Sequence, residues 1–227
     1  MVRRTATCFS LALFPPVYLF RRVLDADVVL VLSDRHLDDK NHANQCVLRS
    51  FSGATRRIEI PVRKKGVPID DVDVPDCSTW FPKLQEEVHG LYRGLPHASA
   101  AVELVSQLLP PYPSPSPWLV DYLMHSFVKT LEWLDWKREI VRGASVQRQR
   151  YVVDSEYLLD LCLQNGCQRL IVGTGSGMKD QALFRREGVN IISQQWQGSA
   201  TLRAQDSILD AIARLSAADI LRNMGRN

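Results

Sequence analysis

Residues 155–193 read SEYLLDLCLQNGCQRLIVGTGSGMKDQALFRREGVNIIS, a run in which helical and extended patterns take turns. Ser155 to Asn165 carries apolar residues at helical spacing and is closed by Gly166. A glycine just past the last periodic residue can take the left-handed conformation that ends a helix. Leu170 to Val172 reads as a short buried strand. Asp180 to Glu187 repeats the helix, closed by Gly188, and Val189 to Ser193 repeats the strand. Strands and helices alternating at this spacing predict α/β layering. Asp206 and Ser207 cap a further helix.

Towards the N-terminus the same rhythm holds. Thr5 to Leu13 reads as a strand, Pro16 opens a helix carrying Tyr18 and Phe20, and Val28 to Leu32 is an apolar strand ending on Ser33 and Asp34. The start imitates a secretory signal, with Arg3 and Arg4 ahead of the apolar run Ala6 to Phe14. Pro15, Pro16, Arg21 and Arg22 follow without a small-residue cleavage site, so a buried first strand is expected instead. Between the two ends, Cys46 to Arg49 and Arg56 to Val62 flank Ser52 and Gly53 as a hairpin. Helices are expected from Ser78 or Thr79 to about Tyr92, over Ala98 to Leu109, and over Leu119 to Leu134. The stiff segment Pro110 to Pro117, PPYPSPSP, is read as a crossing loop inside one domain. The expected fold is α/β, a mixed sheet with flanking helices, in a single domain over residues 1–227.

At 227 residues the chain can bury a full core, and 45% hydrophobic with 23% charged residues is a globular balance. No apolar run is long enough to span a bilayer, so no membrane partner is expected. Cys8, Cys46, Cys77, Cys162 and Cys167 are odd in number and lack the close pairing of a zinc site or a disulfide framework. They point to a reduced, cytoplasmic protein. A net charge of +3 permits a polyanionic partner without requiring one. Basic residues bunch at Arg56, Arg57, Arg63, Lys64 and Lys65 and again from Lys137 through Arg150, and either run alone suits a solvated surface.

The polar stretch Asp34 to Gln45, DRHLDDKNHANQ, follows directly on a buried strand and must be a surface loop. Asp34, His36, Asp38, Asp39, Lys40, His42 and Asn44 put carboxylates, imidazoles and an ammonium within a few residues, a mixture suited to proton transfer and to holding an anion. His36, Asp38 and His42 are open to a metal reading, but loop spacing alone does not make ligands converge. Gly173 to Gly177, GTGSG between a strand and a helix, can offer backbone N–H groups to an anion, with Ser176 and Lys179 beside it. It has neither the P-loop pattern nor the dinucleotide fingerprint. No nucleophile elbow or flanked cysteine supports covalent catalysis.

The ordered set of features resembles the WbqC-like family over most of the chain. The resemblance rests on Phe14 to Phe20 ahead of a helix, ADVVLVLSD (Ala26 to Asp34), and the loop through Lys40, His42 and Asn44. It continues through IPVRKKG (Ile60 to Gly66), Ile69 to Val74, Trp80, Lys83, Tyr92, Leu131 to Leu134, GTGSG and SILD (Ser207 to Asp210). The chain differs where the family often has a His-Gln-Pro-like stretch, here Phe9, Ser10 and Leu11. It also has Ser33 and Asp34 for an acidic pair, and His42 for a tryptophan.

Members of the family occur in surface-polysaccharide gene clusters and in phages, and some phage relatives resemble amino acid:DNA transferases of thymine hypermodification. The resemblance therefore implies a transferase joining glycine to the exocyclic methylene of phosphorylated 5-hydroxymethyluracil in double-stranded DNA, with loss of phosphate. Asp34 or His36 would take the proton, Lys40 and His42 would hold the departing phosphate, and Asn44 would orient the base. Arg56, Arg63, Lys64, Lys65 and Lys83 would contact DNA phosphates, and Ser176 and Lys179 the amino acid's carboxylate. No cofactor is implied, since the leaving group is installed beforehand. Two alternatives stay open: a transferase acting on an activated sugar, and a non-catalytic DNA-binding module.

Overall fold

A five-stranded, wholly parallel sheet organises the part of the chain that carries the candidate site. The structure is a computed structural model, and it describes residues 3–38, 43–109, 116–151, 154–173 and 180–225. Their strands are β1 (Thr5–Ser10), β2 (Val28–Leu32), β3 (His36–Leu37), β4 (Gln45–Arg49), β5 (Thr55–Glu59), β6 (Val67–Pro68), β7 (Glu139–Gly143), β8 (Arg169–Gly173) and β9 (Asn190–Gln194). Their α-helices are α1 (Val17–Asp25), α2 (Phe81–Tyr92), α3 (Ala98–Ser106), α4 (Leu119–Trp133), α5 (Ser145–Arg148), α6 (Asp154–Gln164), α7 (Gln181–Arg186), α8 (Ile208–Arg214) and α9 (Ala217–Asn223). The chain forms two compact units that interleave in sequence. The first comprises Met1–Ser10, Tyr18–Arg35 and Arg138–Trp196, and the second comprises Leu11–Val17, His36–Lys137 and Gln197–Asn227.

The first unit holds the parallel sheet, in the order β7-β2-β1-β8-β9. From β1 the chain builds outward through β2 and β7 on one side and through β8 and β9 on the other, the arrangement of open, doubly wound α/β sheets. All five residues of β2 are buried, which is why VVLVL reads as a continuous apolar run and not as an alternating one. Val28, Leu30 and Leu32 share a core with Ala6, Leu170 and Val172 and with Tyr157, Leu158, Leu161 and Cys162 of α6 and Phe184 of α7. Each Val, Leu or Phe side chain among them contributes about 1.5–3 kcal/mol on removal from water. Asp180 caps α7 by accepting from the Leu183 N–H at 2.8 Å.

The second unit packs the hairpin β4–β5 against α2 and α8, with α3 and α4 completing its core. Gly53 turns the hairpin with a φ of 89°, a left-handed conformation that favours glycine. The expected cap of α2 shifts: Asp76, not Ser78 or Thr79, caps a short 3-10 turn over Cys77–Thr79, and α2 follows from Phe81. Asp210 is the polar centre of this core, 2% exposed. It accepts from the Tyr92 hydroxyl at 2.9 Å and from the Arg49 backbone N–H at 2.8 Å, with Arg214 Nη1 at 3.6 Å. Ser207 caps α8 and donates to the Phe14 carbonyl at 2.8 Å. SILD thus does structural work, binding α8 to its surroundings at both of its ends.

Several elements lie where the sequence reading placed none, among them β7 and β3. EIVRG, inside the basic run, forms the edge strand β7, paired along its whole length with β2. In the polar loop, His36 and Leu37 pair with Pro68 and Val67, and Leu37 is buried. All five cysteines are free thiols. No helix among the described residues is long and apolar enough to cross a membrane. Residues 110–115 of the proline-rich segment lie outside the described residues.

Candidate active site

Because all five strands of the sheet run the same way, their carboxyl ends line one edge, and β2 delivers Ser33, Asp34 and Arg35 there. Ser33 is fully buried. Its hydroxyl donates to the Gly143 carbonyl at 2.9 Å and accepts from Arg142 Nε at 3.1 Å, which fixes the end of β2 against the end of β7. The backbone leaving Ser33 is therefore held, and so is the start of the Asp34 side chain. Asp34 is 8% exposed.

Two guanidinium groups and a second carboxylate surround it. Arg148 Nε lies 3.9 Å from Asp34 Oδ2, and the same arginine binds Asp154 at 2.7 Å and the Tyr151 carbonyl at 2.6 Å. Arg35 reaches the other Asp154 oxygen at 3.0 Å. Asp154 is thus shared between two arginines. Burial works against its ionisation, but the hydrogen bonds and charges of Arg35 and Arg148 outweigh that and hold its carboxyl below the usual value. Asp34 goes the other way: burial raises its pKa, and the nearby arginines offset only part of the effect. Its Oδ1 is buried with no hydrogen-bond partner among the described residues. A carboxylate of raised basicity, with one free oxygen and cationic neighbours, is equipped to accept a proton next to a bound anion.

Of the residues singled out in the polar loop, Asp34 stands at this edge, in the first unit. His36 belongs to the second unit, exposed on β3. Asn44 also belongs to the second unit, 3% exposed, and its side-chain amide donates to the Ile60 carbonyl at 2.8 Å. That bond ties together the two ends flanking the hairpin, a structural use of the residue. Lys40 and His42 lie outside the described residues, as do Ser176 and Lys179 of the glycine-rich loop. Among the described residues no group of three or more His, Cys, Asp or Glu side chains could hold a metal, and His42 of the metal trio is not among them.

The DNA-contact candidates fall on the surface of the second unit. Arg56 and Lys83, with Arg57, line a groove of about 530 Å³ that also includes Thr79 and Trp80. Glu59 and Glu87 line it too, and Arg56 is 3.3 Å from Glu87, so its positive character is mild. Arg63 lies 3.7 Å from Asp73, whereas Lys64 and Lys65 are exposed on the loop that follows.

Arg35, Arg148 and Asp154 carry much of the site's charge, and the sequence reading did not select them. Arg148 was hidden within the basic run from Lys137 to Arg150, where a solvated surface is the ordinary expectation. The signal that could have exposed it is β7: a strand placed at Glu139–Gly143 puts the next short helix, and Arg148, at the carboxyl edge of the sheet.

No curated protein and no solved structure gives a significant match to the chain. The family model for the WbqC-like protein family matches residues 12–227. That span takes in the ADVVLVLSD strand, the polar loop, the hairpin and SILD. On that match, which covers nearly the whole chain, the chain belongs to the WbqC-like protein family.

Proposed function

We propose that the chain is a transferase that joins the amine of glycine to the exocyclic methylene of phosphorylated 5-hydroxymethyluracil in double-stranded DNA. The observation that carries this reading is Asp34, a buried carboxylate with one unpartnered oxygen at the carboxyl edge of a parallel sheet, flanked by Arg148 and Arg35. In the proposed step a C–N bond forms as the bond from the methylene carbon to the phosphate oxygen breaks. Asp34 first takes a proton from the incoming ammonium, the freed amine lone pair makes the C–N bond, and the electron pair of the broken C–O bond leaves on phosphate. Arg148 and Arg35 supply positive charge where the phosphate's charge accumulates. His36 is the alternative acceptor. Lys40 and His42 as leaving-group contacts, and Ser176 and Lys179 as carboxylate contacts, rest on sequence position alone.

A base inside the duplex must be extruded before it can react, at a cost of a few kcal/mol that backbone contacts offset. The cations of the second unit, Arg56, Arg63, Lys64, Lys65 and Lys83, are the proposed backbone contacts. The test is to incubate the protein with glycine and duplex DNA containing 5-phosphomethyluracil, digest to nucleosides and analyse by mass spectrometry. A glycine-adduct nucleoside is expected. No adduct across a panel of amino acids, with folded protein, would overturn the reading in favour of an activated sugar as acceptor. Duplex binding altered by Asp34→Ala and His42→Ala, with no product ever formed, would mark a binding module.

A further inference from the structure

The transferase reading makes no use of Arg22, although α1 carries it to the point where the strand order reverses. β1 pairs with β8 only from Thr5↔Arg169 to Thr7↔Ile171, whereas its pairing with β2 continues to Ser10↔Leu32. β1 and β8 meet at the switch point of the strand order, and the carboxyl edge there is the place where open parallel sheets bind ligands.

Arg22 reaches this edge beside Gly173. Only 9% of it is exposed, and a methyl group built on Gly173 would touch its Cζ and Nη1 at 3.5 Å. The Tyr18 ring lies 5.9 Å from the guanidinium carbon. Arg22 Nε is buried without a hydrogen-bond partner, and no carboxylate pairs with this arginine among the described residues. The Cys8 thiol nearby does not supply the missing charge: burial pushes its pKa up to about 11, with Arg22 and Arg35 pulling only partly against that, so it is neutral. A buried guanidinium with neither a counter-charge nor full hydrogen bonding is costly, and an anion is what relieves it.

We infer that Arg22, beside Gly173 at the carboxyl edge, forms an oxyanion site, which takes the phosphate or carboxylate end of a small ligand on the guanidinium N–H groups. A side chain at position 173 would lie against the guanidinium. The site shares no residue with the Asp34 cluster, and it stands whether or not the transferase reading survives.

The test is thermal melting of the full chain with inorganic phosphate and, separately, with acetate, at ionic strength held constant with chloride. Wild type, Gly173→Ala and Arg22→Met are compared. Gly173 is not in a left-handed conformation, and an added Cβ meets Arg22 at ordinary contact distance, so Gly173→Ala folds while covering the guanidinium. A saturable rise in Tm is expected in wild type, weakened in apparent affinity by at least about tenfold in Gly173→Ala and lost in Arg22→Met. The ligand-free Tm of Arg22→Met is expected above that of wild type. A stronger response to phosphate assigns a phosphoryl ligand, and a stronger response to acetate assigns a carboxylate. No saturable response to either anion, or one undiminished in both variants, would overturn the site.

Discussion

Tyr92→Phe removes one hydroxyl from the second unit and leaves the ring in place. That hydroxyl donates to Asp210 at 2.9 Å, inside a core where Tyr92 is fully buried and Asp210 is 2% exposed. A hydrogen bond to a charged group contributes about 1.5–3 kcal/mol, and losing the donor leaves the acceptor buried and less well satisfied. Asp210 keeps the Arg49 N–H and Arg214, so a loss of about 2 kcal/mol is the central expectation. At roughly 2–4 °C per kcal/mol for a chain of this size, Tm falls by roughly 4–8 °C at neutral pH.

The sign of its pH dependence follows from Asp210. Burial already raises the pKa of Asp210 in the folded state, with its hydrogen bonds and Arg214 working against that rise. Removing the Tyr92 donor raises it further, so the added penalty is present where Asp210 is ionised and shrinks as pH falls below its folded value. Thermal melts of both proteins across this range measure it directly. A Tm unchanged at neutral pH, or a larger loss in acid than at neutral pH, would refute the account of this core.

Asp34→Asn is expected to abolish transfer and to raise stability at neutral pH. The folded-state pKa of Asp34 is raised, so its ionisation costs stability as pH climbs through the unfolded value of about 3.9, and the amide removes that cost. Melts compared above and below that value check it; a variant less stable than wild type at neutral pH contradicts the assignment. Lys64→Ala with Lys65→Ala is expected to weaken duplex binding equally across sequences and to flatten its salt dependence by roughly 0.9 for each DNA phosphate no longer neutralised. Titrations at several salt concentrations read both quantities, and an unchanged slope removes these lysines from the interface.

The rhythm of the last third and the VVLVL run were legible because buried parallel strands and their capped helices have strong local patterns. Gly166, Gly188, Asp180 and Ser207 mark ends by chemistry that acts within a few residues. β7 was not legible, since EIVRG is flanked by Lys137, Arg138 and Arg148 and is a strand only because β2 offers its free edge. For the site, Asp34 could be found from its place after a buried strand. Its partners Arg148 and Asp154 lie more than a hundred residues away, and no local pattern ties them to it. Asn44 shows the converse: a polar residue in a suggestive loop whose amide is used to hold a backbone carbonyl. Arg22, read as part of a charged flank, became informative only through its place beside Gly173 and its unpartnered Nε.

The central claim is that substrate is handled at the carboxyl edge of the parallel sheet. The most direct test is a crystal structure of the protein with glycine and a 5-phosphomethyluracil nucleoside. The account predicts the nucleoside's methylene beside Asp34 and its phosphate against Arg148 or Arg35. A ligand seated only in the groove lined by Arg56, Lys83 and Trp80, with the Asp34 edge empty at saturating concentration, would contradict it.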